Sequence, residues 1–146
     1  MRQCNQIIKV VNNIEALQKC FFVRAVVFCE GQNVPYSLEV DGQDMSSIHF
    51  LGTIDNEPAA TARLRLFKDY AKIERLAVRK EYRGKGMGKA VFAFALNHIH
   101  ELGYTKIKLH AQAYLVKFYE DFGFVKYGEK FSDANIEHYC MAKEIK

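Results

Sequence analysis

The sequence predicts a mixed α/β fold whose strands are mostly antiparallel, on three observations. A β-branched run, Ile7 to Val11, is followed by a segment with apolar residues at helical spacing. Three apolar stretches between Ile48 and Val78 are joined by connections short enough for hairpins, which makes them an antiparallel meander. A basic, Gly-rich turn from Tyr82 to Gly88 then leads into a helix with one apolar face.

Taken in order, Ile7 to Val11 is a first strand. Asn12, with Glu15 three residues on, reads as a helix cap with a reciprocal acidic partner. Leu17, Phe21, Phe22, Ala25, Val26 and Cys29 give the following helix a wide apolar face, ending near Glu30-Gly31. From Gln32 to Ser47 the pattern is polar and holds Pro35 and Gly42, which reads as a long functional loop with a short helical turn after Pro35. Strands follow at Ile48 to Asp55, Ala59 to Phe67 and Tyr70 to Val78, with turns at Asp55 to Pro58 and at Lys68-Asp69. A helix from Met87 to Leu102 carries Val91, Phe92, Ala95, Leu96, Ile99 and Leu102 on one face and stops at Gly103. A strand at Lys106 to His110, a helix at Tyr114 to Phe122, and strands at Phe124 to Tyr127 and Glu137 to Ala142 complete the expected order. No repeat or linker interrupts 1-146, so one domain is expected.

Composition bounds the function. With 146 residues, 49% apolar by type, the chain can bury a core without staples. No stretch approaches the run of about 20 apolar residues that spans a bilayer, and Met1 to Gln6 lack the apolar block of a secretion signal. A cytoplasmic protein without a membrane partner is therefore expected. The four cysteines, Cys4, Cys20, Cys29 and Cys140, form no CxxC pair or Cys/His ligand spacing, so no metal site is expected. The net charge of +4 is concentrated between Arg79 and Lys89, which suggests a small polyanion more than a spread nucleic-acid face.

The order strand, Arg83-Gly84-Lys85-Gly86-Met87-Gly88, helix places several backbone N–H groups at the positive end of a helix, where a phosphate is stabilised by dipole and hydrogen bonds together. Counting removes three alternatives. A Rossmann GxGxxG needs glycine at 89, which is Lys89; a Walker loop needs Ser or Thr after Lys89 and finds Ala90; a KH-type GXXG needs glycines three apart. What remains is R-x-x-G-x-G, satisfied by Arg83, Gly86 and Gly88. This pattern resembles the pyrophosphate loop of the GNAT superfamily of N-acetyltransferases, which use acetyl-CoA as acetyl donor. Ile73 to Val78 resembles the family's fourth strand, and Phe118 to Phe124 its FYxxxGF segment. Glu30-x-Gln32-x-Val34-Pro35, Thr61 to Arg65, His110 to Ala113, and His138 with Met141 are similar to the ElaA/YjcF-like branch.

The resemblance implies a sheet splayed between its fourth and fifth strands, flanked by about four helices, with the pantetheine arm in the gap. It implies that the backbone of Leu76, Ala77 and Val78 pairs with pantetheine. The N–H groups of Arg83, Gly84, Lys85, Gly86, Met87, Gly88 and Lys89 would hold the pyrophosphate, and Gln112 and Phe118 would touch the cofactor. Gln112 stands where many members have Asn. The implied reaction is direct attack of a primary amine of a small molecule on acetyl-CoA in a ternary complex, catalysed by a monomer or homodimer.

An alkyl ammonium is neutral in only about one molecule in a few thousand at pH 7, so some group must take its proton. Glu74 is a candidate base, sharing a strand face with Leu76, and also a candidate partner for a neighbouring Arg or Lys. His110 and His138 are alternatives, as is a relayed water. The resemblance sets the Tyr119 hydroxyl against the leaving sulfur; packed between Phe118 and Phe122, it would otherwise be a core aromatic. For the acceptor, Glu30, Glu39, Asp41 and Asp44 could draw in a cation or merely line a lid. Arg63 and Arg65 suit an anionic group on the acceptor or serve Glu74 internally. Glu30, Arg63 and His138 are the expected acceptor contacts. Two other classes compete with an enzyme: a non-catalytic acyl-CoA sensor that keeps the glycine loop, and a nucleic-acid binder using the basic turn. The short basic cluster and core-like spacing of the aromatics disfavour the second.

Overall fold

A computed structural model describes residues 5–145. Among the described residues, seven strands form one sheet in the order β1-β2-β3-β4-β5-β7-β6: β1 (Gln6–Val10), β2 (Ile48–Ile54), β3 (Glu57–Leu66), β4 (Ala71–Val78), β5 (Lys106–Gln112), β6 (Val125–Asp133) and β7 (Ile136–Glu144). Every neighbouring pair is antiparallel except β4 and β5. Four helices flank the sheet: α1 (Ile14–Arg24), α2 (Tyr36–Glu39), α3 (Met87–Glu101) and α4 (Val116–Glu120).

Two cores sandwich the N-terminal half of the sheet. Strand alternation sends Phe50, Ala60, Ala62, Leu64 and Ile73 toward α3, where Met87, Val91, Phe92, Ala95 and Ile99 recur at helical spacing and are buried. The opposite face carries Leu51 and Ala77, covered by Ala16, Cys20, Val23 and Val27 from α1 and the turn after it. The predicted face of α1 is therefore wrong by about half a turn. Phe21 and Phe22 lie outward, because Phe21 packs edge-on against His49 while Phe22 sits under the Arg79 guanidinium. The cap also shifts by one residue: the Asn13 side chain, not that of Asn12, accepts from the Ala16 N–H at 2.8 Å. The last turn of this helix widens to i→i+5 bonding over Ala25–Glu30 before Gly31.

The meander forms as expected, with a two-residue turn at Asp55-Asn56 (φ +50° and +70°). The C-terminal hairpin is longer than the sequence suggests. β6 is an edge strand exposed along nearly its whole length, so its residues 128–133 need no apolar alternation. The hairpin turns at Ala134-Asn135 (φ +51° and +61°) without a glycine.

The feature that positions the site lies in β4. Arg63 faces Glu74 and Thr61 faces Ala77, so two residues, Arg75 and Leu76, stand opposite the single Ala62. This bulge holds Arg75 at φ +56°, in the left-handed region. It shifts strand parity by one, so that Ile73 before it and Leu76 and Val78 after it all pack with the α3 core.

Candidate active site

β4 and β5 pair only at Ala71 with Ile107, Lys72 with Lys108, and Ile73 with Leu109. Beyond Ile73 and Leu109 the strands separate, and Glu74 to Val78 have no strand on that side. Glu74 and His110 mark the apex of the gap. The bulge aids the separation by increasing local twist. The opening belongs to a cavity of about 910 Å³ bounded by β4, β5, the turn before α3, α4, and the tip of the β6–β7 hairpin.

At the wide end, Gly84 and Gly86 adopt φ +78° and +81°, which L side chains rarely tolerate. A Cβ at either position would meet nothing within 4 Å. Among the described residues, the backbone N–H groups of Gly84 through Lys89 donate to no other backbone group outside regular helix and strand bonding. The helix's first bond is Ala90 N–H to the Gly86 carbonyl, at 3.0 Å. Free amides, a helix N-terminus, and Arg83 and Lys89 on the cavity wall suit an anion with several oxygens. Arg83 is itself fixed by donating from Nε to the Val78 carbonyl at 2.9 Å. Leu76, Ala77, Val78, Arg83, Gly84, Gly86, Met87, Gly88, Lys89, Gln112 and Phe118 all line the cavity. Lys85 does not; its ammonium lies 5.7 Å from the centre of the Tyr82 ring. Gln112 is engaged in a reciprocal amide pair with Gln32, at 2.9 and 3.0 Å, which ties the loop after α1 to the end of β5. Gln32 and Tyr114, whose hydroxyl lies 3.3 Å from the Gln32 amide, are wall residues that sequence reasoning missed.

Tyr119 lines the cavity near Leu115 and Phe118 and is only 6% exposed. Its ring packs against Phe92, Phe118 and Phe124. Burial, then the neighbouring Tyr114, raises its pKa well above the ordinary phenol, so the hydroxyl stays protonated and can donate. Tyr119 thus packs as a core aromatic and is also a residue of the cavity wall.

The acceptor end is built from charged side chains. Arg63 is 0% exposed and donates to both oxygens of Asp41 (2.9 and 2.8 Å), to Asp44 (3.0 Å) and to Glu74 (2.8 Å). Burial alone would lower its pKa; the bonds to Asp41 and Glu74 reverse this and raise it. With three carboxylates around it and no exposure, Arg63 is a structural hub and not an acceptor contact. Arg24, on the inner side of α1, grips Glu39 and Asp44 at 2.7 Å each; nothing in the helical spacing singled it out. Arg75, at the bulge, holds Glu39 (3.2 Å) and Asp41 (3.4 Å), so the loop acids expected to attract an amine are consumed internally. Glu74 has one oxygen on Arg63 and the other on Arg65 (3.3 Å), the paired carboxylate that was its alternative reading. Glu30 is exposed at the end of the helical segment and is absent from the cavity wall.

His110 and His138 face the cavity across Phe131, which meets His110 edge-on at 5.1 Å and stacks on His138 at 5.5 Å. Partial burial and then the Lys72 charge lower the His110 pKa below that of an ordinary imidazole, while Glu74 and Asp133 oppose the shift. The ring is therefore neutral at pH 7 and able to accept a proton. His138 Nδ1 lies 2.7 Å from the Ile136 carbonyl, to which it donates.

A gap between parallel strands, beside a helix N-terminus with free amides, defines a fold class that comparison with known proteins makes specific. The family model described as an acetyltransferase (GNAT) domain matches residues 31–145. The chain belongs to the GNAT acetyltransferase family. It is 33% identical over 136 residues to the uncharacterized N-acetyltransferase YjcF of Bacillus subtilis, covering 92% of this chain and 97% of that protein. It is 31% identical over 139 residues to protein ElaA of Escherichia coli, covering 91% and 90%. The crystal structure of ElaA superposes with a TM-score of 0.86 at 28% identity, covering 96% of this chain and 100% of that one. An acyl-CoA N-acyltransferase from Pseudomonas aeruginosa gives 0.86 at 28% identity, covering 97% and 99%. At the level of fold alone, an aminoglycoside 6'-N-acetyltransferase solved with coenzyme A gives 0.74 at 15% identity, covering 96% and 97%. The GNAT fold, the splayed sheet and the enzyme class expected from the glycine turn are thereby borne out. No described helix is long and apolar enough to cross a membrane.

Proposed function

We propose that the chain, working as one catalytic unit, transfers the acetyl group of acetyl-CoA directly to a primary amine of a small molecule. The observation that carries this reading is the junction of two features in one cavity: free amides at Gly84 to Lys89 and a protonated, buried Tyr119. Acetyl-CoA supplies an activated thioester: the amine forms a C–N bond to its carbonyl carbon, the C–S bond breaks, and the sulfur leaves as thiolate. The Gly84 to Lys89 amides, with Arg83 and Lys89, hold the diphosphate, and the unpaired backbone of Leu76 to Val78 aligns the pantetheine arm. Backbone N–H groups at the bulge stabilise the developing oxyanion. Tyr119 donates a hydrogen bond to the departing sulfur. The phenol is the weaker acid, so the step is a hydrogen bond rather than complete proton transfer.

His110 is the preferred base. It stands at the apex, is held neutral at pH 7, and presents a ring open to solvent for the exit of the proton. Glu74, with both oxygens on guanidiniums, orients the apex instead, and His138 is a second acceptor across Phe131. The test is a coenzyme A release assay over a panel of amines with wild type and Tyr119→Phe. The variant is expected to lose turnover about tenfold or more while binding acetyl-CoA with nearly unchanged affinity. Equal turnover removes Tyr119 from the mechanism. Binding of acetyl-CoA without release on any amine would favour the sensor reading.

A further inference from the structure

The charges at the acceptor end sort into two groups. Arg24, Arg63, Arg65 and Arg75 meet Glu39, Asp41, Asp44 and Glu74 at 2.7 to 3.4 Å, four cations against four anions. Lys108, the register partner of Lys72, has its ammonium 4.3 Å from the centre of the Tyr70 ring. Two charged groups on this part of the cavity wall are left without an ion pair among the described residues: Lys72, half-buried on β4, and Asp133, at the end of β6. Their charges act on His110 in opposite directions. Strand alternation puts Lys72 on the face of Glu74, and the register places His110 two residues beyond the Lys108 that pairs with it.

The Lys72 ammonium, on the cavity wall with no carboxylate in ion-pair reach among the described residues, is free to take an anion. Arg65 stands beside this position with 26% of its side chain exposed and only one carboxylate contact, at 3.3 Å. We propose that the acceptor is a small primary amine carrying its own anionic group, a carboxylate or a phosphate, which Lys72 holds with the outer edge of Arg65. Asp133, across the opening, receives the ammonium end before His110 takes its proton. A polyamine would bring like charge to Lys72, and an amine with no anionic group would meet Asp133 but leave Lys72 without a partner. Only a dipolar acceptor answers both. This inference rests on the acetyl-transfer reading and specifies its substrate.

Coenzyme A release is measured with matched acceptors: phenylalanine, its carboxamide and phenethylamine; lysine, its carboxamide and cadaverine; phosphoethanolamine and ethanolamine. In at least one set the anionic member is expected to exceed its uncharged-tail analogue about tenfold in kcat/KM, and the set in which this occurs tells carboxylate from phosphate. Lys72→Met should lower kcat/KM for that acceptor about tenfold, chiefly through KM, and Lys72→Arg should restore most of it. Acetyl-CoA affinity, read by thermal shift, should not change in either variant. The proposal is overturned if neutral or cationic members are preferred in every set, if no anionic amine responds, or if Lys72→Met slows all acceptors equally. Failure of acetyl-CoA to protect the wild type would overturn the acetyl-transfer reading itself, and this one with it.

Discussion

The two ends of the cavity are made of different material. The wide end is backbone: amides at Gly84 to Lys89, and strand edges left unpaired past Ile73 and Leu109. The acceptor end is side chains: four arginines and four carboxylates from α1, α2, the loop after it, β3 and β4. A backbone site demands glycines at fixed offsets beside a helix start, so its requirement is written locally. A side-chain network demands only that charges meet after folding, and no local spacing records which of them will.

This contrast makes opposite expectations for substitutions at the two ends. The largest effect should come from the acceptor end and fall on stability. Arg63→Met leaves Asp41, Asp44 and Glu74 short of a cation inside the fold. Removing one partner of a buried pair costs about 3–5 kcal/mol, which should lower Tm by about 10 °C or more in thermal unfolding. A shift under about 2 °C would show that the network is not what holds the loop. Next is the cofactor end: Gly86→Val adds a β-branched side chain at φ +81° where phosphate must approach. It should weaken acetyl-CoA binding about a hundredfold with a much smaller loss of stability. If Gly86→Val mainly unfolds the protein, the distinction between the two ends collapses.

The smallest effect is a dependence on pH. Asp41 and Asp44 have pKa values held below the ordinary carboxylate range. For Asp41 the Arg63 hydrogen bonds are the main cause; for Asp44 burial opposes the shift and the bonds to Arg24 and Arg63 outweigh it. The unfolded chain binds protons first as pH falls, so the stability these groups contribute is complete above the ordinary carboxylate pKa. It is lost progressively on acidification below it. Chemical denaturation between pH 7 and pH 3 should show this loss, and it should shrink in Arg63→Met.

The same division explains what was legible in the sequence. The meander, the glycine turn and α3 were readable because each is set by local periodicity or turn chemistry. The inner face of α1 was not, since Arg24 is buried only because Glu39 and Asp44 return to it from the loop. Phe21 and Phe22 look like core residues to any apolar count, yet they cover His49 and Arg79 at the surface. The far part of β6 was lost because an exposed edge strand carries no alternation, and Ala134-Asn135 gives no glycine signal for its turn. At the site, period-two alternation put Glu74 on one strand face with Leu76; the bulge between them sends the two to opposite faces, and the partners of Glu74 depend on β3 register, which spacing does not reveal. Lys72 gave no signal at all; it stands out only when every other charge around it has been matched.

The most direct test of the central claim is a calorimetric titration of the folded wild-type chain with acetyl-CoA, run beside Gly86→Val. One saturable site in the wild type, with heat release, thermal protection and an affinity about a hundredfold weaker in the variant, is the expected result. No heat and no protection in correctly folded wild type, or equal affinity in the two proteins, would contradict a cofactor site made from these backbone amides.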